Sequence, residues 1–333
     1  MTTLRMALIG AGRMARAHAS NAADLAEIHL AAVYDPLPEK ATELAAGLGA
    51  RSAASLDELL DDAAIDAVLI TTPTPTHAAI IASAAAAGKA IFVEKPIADT
   101  LDAADAAVDA VEAAGVACQV GFQRRHDPAY RVARQRIVAG ELGRIEGFRG
   151  VGRDPHPPAF DFLLTSGGLL VDMGIHDLDS ARFLVGEVAT VHAIGAALIE
   201  PRLAQHGLFD TAVATLQFEN GALGTLEVAL RTAYGYDIRA EVLGEHGRIH
   251  IETDIQHHLR VYTRDGVRHD RPQSFVERFK EAYVAELRAF AHAVLGGLPV
   301  TPDARDARAS LRLALAAQRS LETGRSVRVA DVG

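Results

Sequence analysis

Several residue types are scarce in this chain of 333 residues, and each scarcity excludes a class of protein. Tryptophan is absent and Cys118 is the single cysteine, so no intrachain disulfide can form. Lys and Arg number 33 against 43 Asp and Glu, a formal net charge of -10 that would repel a nucleic-acid backbone. The alanine-rich segment 78–93 is interrupted by Lys89 and is too short for a membrane span. We therefore expect neither a nucleic acid nor a membrane as a partner.

The remaining composition is that of an ordinary globular protein, with 49% hydrophobic and 23% charged residues. The first residues, MTTLRMALIGAG, run directly into an apolar strand and lack the features of a signal peptide, so we expect a cytoplasmic protein. Cys118 lies in GVACQVGF, a predicted buried strand in which a thiol usually acts as a small hydrophobic group; a reactive thiol is the alternative. A chain of this length exceeds what one core usually fills and predicts two domains.

The first 120 residues alternate short apolar runs with alanine-rich helical stretches. Continuous hydrophobicity within a run is typical of a strand buried on both faces, and hence of a parallel, doubly wound α/β sheet of the Rossmann type. The predicted strands are 4–9, 28–35, 65–71, 90–95 and 116–122, and the predicted helices are 13–23, 38–47, 76–87 and 100–114. We expect a nucleotide-binding Rossmann domain over residues 1–120.

From about residue 144 strands follow one another closely, separated by turn signals such as ENGA, and several alternate with period two. This pattern predicts an α+β domain, residues 121–333, with a large open, mainly antiparallel sheet covered by helices on one face. The expected strands are 145–152, 190–198, 211–218, 223–230, 236–244, 247–252, 258–263 and 326–332, and the expected helices are 128–139, 167–185, 275–295 and 303–322. We allow for the C-terminal helix packing back on the first domain.

The loop after the first predicted strand carries Gly10, Gly12 and Ala15 in the spacing G-x-G-x-x-G/A. In that pattern the first glycine makes a tight turn, and the second admits a pyrophosphate to the start of a helix. Asp35 ends the second strand, near the offset of about 20 residues expected for a carboxylate on the adenosine ribose. A carboxylate there disfavours a 2′-phosphate, so NAD is predicted rather than NADP. The alternative for Asp35 is a cap of the following helix.

Two further strand ends are expected at the same edge of the sheet, where ligands of such folds bind. TTPTPTHA places Thr72, Pro73 and His77 there, and VEKP places Glu94 and Lys95. Pre-proline geometry favours an extended backbone at the lysine. The alternative for His77 is a residue that only starts a helix.

The segment SGGLLVDMGIHDLD, residues 166–179, places Asp172, His176 and Asp179 on one stripe of a predicted apolar helix. An imidazole can accept a proton near neutrality, so His176 is predicted to be a general base that Asp172 orients. The alternatives are a structural Asp172–His176 pair with Asp179 solvated, or a divalent metal site. No familiar metal-binding spacing accompanies these residues, and we expect no metal.

The GAGRMA loop, VEKP and SGGLLVDMGIHDLD together resemble the Gfo/Idh/MocA oxidoreductase superfamily over nearly the full chain. GFQRRHDPAY (121–130), RDPHPP (153–158) and AYGYDIRAEV (233–242) resemble its inositol 2-dehydrogenase branch. The resemblance implies that Lys95, Asp172 and His176 are catalytic. It implies substrate contacts at Arg125, His156, Asp179 and Tyr236. From the glycine loop and the strand ends, we predict cofactor contacts at Gly10, Gly12, Arg13, Met14, Asp35, Thr72, Pro73, His77, Glu94 and Lys95.

The function implied by the resemblance is NAD-dependent oxidation of a cyclic polyol, myo-inositol to its 2-keto product, by a homotetramer paired through the open sheet faces. Another sugar, anhydrosugar or inositol dehydrogenase, for levoglucosan, glucose or scyllo-inositol, is an alternative. An NAD-dependent glycoside hydrolase and a non-catalytic polyol sensor are the others. Tyr234 competes with Tyr236, and the AFDFLLT segment and Arg231 depart from the expected pattern. Arg124 and Arg125 are alternatively surface charges, and His156 a plain loop residue.

Overall fold

The computed structural model describes residues 3–252 and 259–333. Its strands β1 to β15 are, in chain order, Leu4–Ile9, Ile28–Tyr34, Arg51–Ser52, Ala67–Ile70, Ala90–Glu94, Cys118–Gly121, Ile145–Arg153, Val188–Ala196, Thr211–Phe218, Leu223–Ala229, Asp237–Gly244, Gly247–Ile251, Val261–Thr263, Gly266–Arg268 and Val327–Arg328. Its α-helices α1 to α11 are Arg13–Ala22, Pro38–Leu48, Leu56–Leu60, His77–Ala86, Leu101–Ala114, Pro128–Val138, Phe160–Leu163, Leu169–Asp172, Ile175–Leu184, Phe275–Gly296 and Ala304–Thr323.

The chain folds as two units. The first comprises residues 1–126 and 281–311, and the second comprises residues 127–280 and 312–333. Helices α10 and α11 therefore contribute residues to both. The division of the chain near residue 120 stays a prediction.

The first unit contains the predicted doubly wound sheet, in which six parallel strands are ordered β3-β2-β1-β4-β5-β6. Every residue of β4, β5 and β6 is buried, which explains their continuous apolar runs. This order reverses at β1 and β4, so a crevice for a ligand is expected beyond the carboxyl ends of those strands. The two-residue strand β3 and the short helix α3 were not predicted.

The core of the first unit includes one segment distant in the chain, the part of α10 that follows residue 280. Leu287 and Phe290 are fully buried in the same cluster as the strand residue Phe92. The rings of Phe92 and Phe290 meet edge to face, with centroids 5.7 Å apart. Burying a phenylalanine side chain stabilises a fold by about 1.5–3 kcal/mol, so this contact is a substantial part of the core.

The second unit contains a seven-stranded sheet ordered β12-β11-β7-β10-β9-β8-β15. All neighbouring strands run antiparallel except β7 and β10, which are parallel, so the predicted mainly antiparallel sheet is confirmed. Strand β9 alternates buried and outward residues along its length, as expected for a sheet with one covered face. On the covered face, the carboxylate of Asp177 in α9 lies against Gly152 in β7, where a Cβ would come within 3.0 Å of its Cγ atom.

Three local expectations in this unit are wrong. The expected strand 326–332 is a strand only at Val327–Arg328, because Val329–Asp331 form a 3-10 helix. The predicted helix 167–185 is two helices, α8 and α9, interrupted at Met173 and Gly174. A Cβ at Gly174 would lie 2.8 Å from the Leu170 side chain, so the turn between the two helices is packed too tightly for a side chain at this position. The expected strand 258–263, whose first residue lies outside the described residues, belongs in its described part to a separate hairpin of β13 and β14.

The thiol of Cys118 is buried at the start of β6, and the predicted hydrophobic role is confirmed. Burial, with the charge of Asp303, raises its pKa to about 12, so the unreactive thiol persists at neutral pH. Over residues 3–252 and 259–333, none of the helices is both long enough and apolar enough to cross a membrane.

Candidate active site

The glycine loop begins with a turn that only glycine permits. Gly10 has a φ of +99°, and its N–H donates to the carbonyl of Tyr34 at 2.7 Å. A Cβ at Gly10 would lie 3.0 Å from Thr71 Oγ1 and 3.1 Å from the Thr72 nitrogen. The turn therefore brings the ends of β1 and β4 into close contact.

The second glycine, by contrast, borders open space. A Cβ at Gly12 would meet nothing within 4 Å, and Gly12 precedes α1 without any side-chain cap. Arg13 is exposed, Met14 is half-buried, and Ala15 is fully buried where helix and sheet pack. A helix N-terminus approached through open space fits the pyrophosphate of a dinucleotide, because its N–H groups attract an anion.

Asp35 follows β2 and connects this loop to the next helix. Its Oδ2 accepts a hydrogen bond from the Ala11 N–H at 2.8 Å, and its Oδ1 accepts one from the Leu37 N–H at 2.9 Å. The alternative role at the start of α2 is thus present in the structure together with a contact to the glycine loop. A carboxylate accepts about four hydrogen bonds, so ribose hydroxyls can be added to these two.

We expect Asp35→Asn to raise KM for NAD by about tenfold or more, because hydrogen bonds to a charged acceptor are worth about 1.5–3 kcal/mol. The ratio of kcat/KM for NADP to that for NAD should rise, since the repelling charge is removed. Initial rates with each cofactor measure both quantities, and Glu39→Gln in the first turn of α2 is the control. An unchanged KM for NAD would leave Asp35 with a structural role only.

His77 holds together the loops after β4 and β5. It is the first residue of α4 and is buried, with Nδ1 2.9 Å from the Pro96 carbonyl and Nε2 2.8 Å from the Thr72 carbonyl. Burial lowers the pKa of His77, against the raising effect of the two carbonyl contacts. Both ring nitrogens thus face protein, while Pro73 beside Thr72 is exposed. The cofactor contacts of Thr72, Pro73 and His77 stay predictions.

Glu94 and Lys95 leave β5 in different surroundings. Glu94 is buried, and its Oε1 lies 2.5 Å from Nε2 of His18 in α1. Burial raises the pKa of Glu94, but the hydrogen bond and charge of His18 outweigh it, so the pKa lies below its usual value. Lys95 is half-buried and precedes a cis bond to Pro96. The only signal of the His18 partner in the sequence is a polar residue on the apolar face of α1.

In the second unit, Asp172 ends α8 and His176 lies in the first turn of α9. Both are half-buried, and the turn at Met173 and Gly174 separates them in the chain. Asp172 borders a small cavity that is otherwise lined mainly by apolar side chains, among them Leu169 and Met173. An apolar setting of this kind strengthens the electrostatic effect of a carboxylate on its neighbours.

Gly167 and Gly168 precede α8, and the space beside Gly168 is occupied by a side chain of the protein itself. Gly168 has a φ of +100°, and a Cβ there would lie 2.6 Å from the carboxamide of Gln318 in α11. Asp179 is 1% exposed and lies 3.8 Å from the guanidinium of Arg182, so the alternative of a solvated Asp179 is wrong. The buried Asp177 was not singled out from the sequence, although it lies in the same motif.

The residues expected to contact substrate lie in diverse settings. The Arg125 guanidinium, in the first unit, is held by both carboxylate oxygens of Asp306 at 3.2 and 3.3 Å. Arg124 is buried, so the alternative of two surface charges is wrong. In the second unit, His156 is exposed in a loop, and Tyr236 is buried edge-on to Phe279. The four substrate contacts stay predictions.

Tyr234, the competitor of Tyr236, takes part in an ion-pair network. Its hydroxyl accepts a hydrogen bond from Arg153 at 2.8 Å and donates one to Asp237 at 2.9 Å. Among residues 3–252 and 259–333, no group of three or more His, Cys, Asp and Glu side chains is arranged to hold a metal ion.

Comparison with known proteins assigns both parts of the chain. Residues 4–122 match the NAD-binding Rossmann fold of an oxidoreductase family, and residues 130–250 match the Gfo/Idh/MocA C-terminal domain. The scyllo-inositol 2-dehydrogenase (NAD(+)) of Bacillus subtilis (strain 168) is 41% identical over 98% of this chain and 96% of its own. The myo-inositol 2-dehydrogenase of Thermotoga maritima is 35% identical over 99% of each chain.

A solved structure agrees over the same length. The scyllo-inositol dehydrogenase from Lactobacillus casei, with bound NAD(H) and scyllo-inositol, has a TM-score of 0.93 and 31% identity, covering 99% of this chain and 100% of that one. The family matches over both parts of the chain, together with these full-length relatives, establish the family of this protein. The chain belongs to the Gfo/Idh/MocA oxidoreductase family and has its NAD-binding Rossmann fold.

Proposed function

We propose that this protein is an NAD-dependent inositol dehydrogenase that oxidises myo-inositol to its 2-keto product, scyllo-inosose. The observation that carries the proposal is the similarity over the full chain to inositol 2-dehydrogenases, at 35–41% identity. The glycine loop, the open space at Gly12 and the carboxylate of Asp35 support the proposal, because they suit the nucleotide site that this reaction needs. We also place the reaction in the cytoplasm, in line with the expectation from the sequence.

Oxidation of a secondary alcohol removes one proton from oxygen and one hydride from carbon, and NAD, when bound, supplies the hydride acceptor. In the proposal, Lys95 donates a hydrogen bond to the reacting oxygen and stabilises its developing negative charge. Such stabilisation is worth about 3–4 kcal/mol in other enzymes. His176 accepts the proton, and Asp172 orients the imidazole and stabilises its charged form.

The remaining polar residues are proposed to bind the ring hydroxyls. Asp179 suits this role because it is a buried carboxylate, and a polyol buried without acceptors would lose its hydrogen bonds to water. His156 is exposed and therefore accessible to a ligand. Arg125 can contribute only the donors that its ion pair with Asp306 leaves available. Tyr236 contributes, in the proposal, through its hydroxyl group.

A second candidate substrate is scyllo-inositol, because the relative at 41% identity carries that name. Oxidation of myo-inositol at C2 and oxidation of scyllo-inositol give the same ketone. The two substrates differ only in the configuration of the carbon that loses hydride. The isomer preference therefore depends on which face of the ring meets the nicotinamide.

The deciding experiment runs the reaction in both directions. The purified protein is incubated with NAD and each inositol isomer while NADH absorbance is followed, and we expect the highest kcat/KM with myo-inositol. In reverse, scyllo-inosose and NADH are supplied, and the product isomer is identified by NMR. Predominant formation of scyllo-inositol would identify scyllo-inositol, and not myo-inositol, as the preferred substrate.

The same assay tests the other classes of function. Levoglucosan and glucose as better substrates would indicate a different sugar dehydrogenase. Cleavage of a glycoside without accumulation of NADH would indicate a hydrolase, and polyol binding without turnover would indicate a sensor. Absence of NADH formation with every inositol isomer would refute the proposed function.

We further propose that the protein is a homo-oligomer, a tetramer paired through the outer face of the seven-stranded sheet. That face exposes apolar side chains on the adjacent strands β8, β9 and β10, and on β11 beyond β7: Ile194, Val213, Leu223 and Leu243. Exposed apolar residues on one sheet face favour association, and two-fold pairing of like faces is the commonest arrangement in homo-oligomers.

A further inference from the structure

A buried polar cluster in the first unit includes Glu94, the residue that precedes Lys95. His18 is fully buried in α1, and its ring stands edge-on to the rings of Phe92 and Tyr283, with centroids 5.5 and 5.6 Å away. Its Nε2 donates to Glu94 Oε1 at 2.5 Å. Two aromatic edges and one carboxylate thus fix the orientation of the imidazole.

The second oxygen of Glu94 faces the next residue of the chain. Glu94 Oε2 accepts a hydrogen bond from the backbone N–H of Lys95 at 3.2 Å. A Cβ at Gly121 in β6 would lie 3.3 Å from Glu94 Oε1 and 3.4 Å from Oε2, so the carboxylate is packed against that strand. The carboxylate therefore connects the His18 ring to the main chain at the point where Lys95 leaves β5.

A second carboxyl group of the cluster is without a hydrogen bond. Glu286 in α10 is 0% exposed, and within the part of the chain that the structure describes neither of its carboxyl oxygens has a hydrogen-bond partner. An ionised carboxylate so buried would cost far more than a neutral acid. Burial and the charge of Glu94 raise the pKa of Glu286 well above its usual value.

We propose that His18 is a positioning residue for Lys95, acting through Glu94, and that Glu286 is protonated at neutral pH, so that no second negative charge acts on Glu94. This inference rests on the proposed function, in which Lys95 binds the reacting oxygen. Loss of the His18 donor leaves Glu94 buried without its strongest partner. The carboxylate then shifts or takes up a proton, and the Lys95 N–H loses its acceptor.

The test compares His18→Leu with His18→Gln, whose terminal amide keeps a donor near the position of Nε2. We expect His18→Leu to lower kcat by about tenfold to a hundredfold, as small misplacements of catalytic groups do, while KM for NAD changes less than about threefold. His18→Gln should recover most of the loss, and Ser20→Ala, exposed on the same helix, should match the wild type. Rates are normalised to the number of NADH-binding sites, so a merely unfolded fraction does not lower kcat.

A separate measurement tests the proton on Glu286 without using activity. Because the folded state favours the protonated acid, its stabilising effect is complete below the ordinary carboxyl pKa and is lost as pH rises toward the raised value. The melting temperature of Glu286→Gln, relative to the wild type, should therefore increase from pH 5 to pH 8. The same variant should keep kcat at neutral pH within about threefold, since it preserves the neutral form. Arg288→Ala, exposed on the same helix, is the control.

The outcomes separate this inference from the proposed function. Wild-type protein that reduces no NAD with any inositol refutes the proposed function and the positioning role with it, while the melting measurement still tests Glu286. An active wild type with His18→Leu at full kcat refutes the positioning role alone. A melting difference that is the same at pH 5 and pH 8 refutes the protonated Glu286.

Discussion

Replacing Lys95 by methionine is expected to lower kcat with inositol about a thousandfold, while NADH still binds. Methionine keeps an unbranched side chain of similar length, so the change removes the ammonium group and little else. A preorganised donor beside a developing negative charge is worth about 3–4 kcal/mol, and Lys95 contributes a full charge in addition to a hydrogen bond. Steady-state kinetics measures kcat, and NADH fluorescence measures binding.

Lys40→Met is the matched control for this prediction, since Lys40 is exposed on α2 of the same unit. It should retain wild-type kcat. If Lys95→Met kept a tenth of the wild-type kcat or more, Lys95 would not be a catalytic residue. A loss of NADH binding in that variant would instead indicate that Lys95 acts mainly in binding the cofactor.

The second large effect is expected for His176→Asn, with kcat about a thousandfold lower, because general acid–base groups contribute about 10²–10⁴-fold. The pH profile carries a further signature. A base must lose its proton to act, so wild-type kcat/KM should rise with pH as the His176 imidazole loses its proton. The variant should lack that rise.

His250→Asn in β12 of the same unit is the control, because its ring pairs with Glu252 at 2.9 Å and lies outside the proposed chemistry. It should reproduce the wild-type pH profile. A His176→Asn enzyme that kept the same dependence on pH would assign the titrating base to another residue. Asp172 would then be the first to examine.

Local patterns predicted the parallel sheet well because a buried parallel strand needs an unbroken apolar run, as in AVLI of β4 and AIFVE of β5. They missed β3 because its two residues, Arg51 and Ser52, carry no apolar signal. The break at Gly174 had a signal, a glycine inside an apolar helix. Periodicity alone does not distinguish a tolerated glycine from one that must contact Leu170 closely.

The site residues likewise divide into those that local sequence predicts and those whose contacts depend on tertiary packing. The glycine loop could be predicted because its chemistry is local: a turn, a helix start and a nearby carboxylate. The partners of Glu94 and Arg125 could not, because His18 and Asp306 are brought to them by tertiary packing across 76 and 181 residues of chain. Sequence spacing identifies a charged residue at a strand end. Which other charge it meets depends on how the helices pack on the sheet.

The carboxamide of Gln318 lies where any side chain at position 168 would have to go. These two positions lie 150 residues apart along the chain, and we expect them to change only together in evolution. A relative that has lost the glycine must carry a much smaller residue at the place of Gln318 and must also tolerate a backbone conformation that disfavours side chains. Sequence change just before α8 is thus limited by α11, although α11 contributes no residue to the motif that α8 and α9 carry.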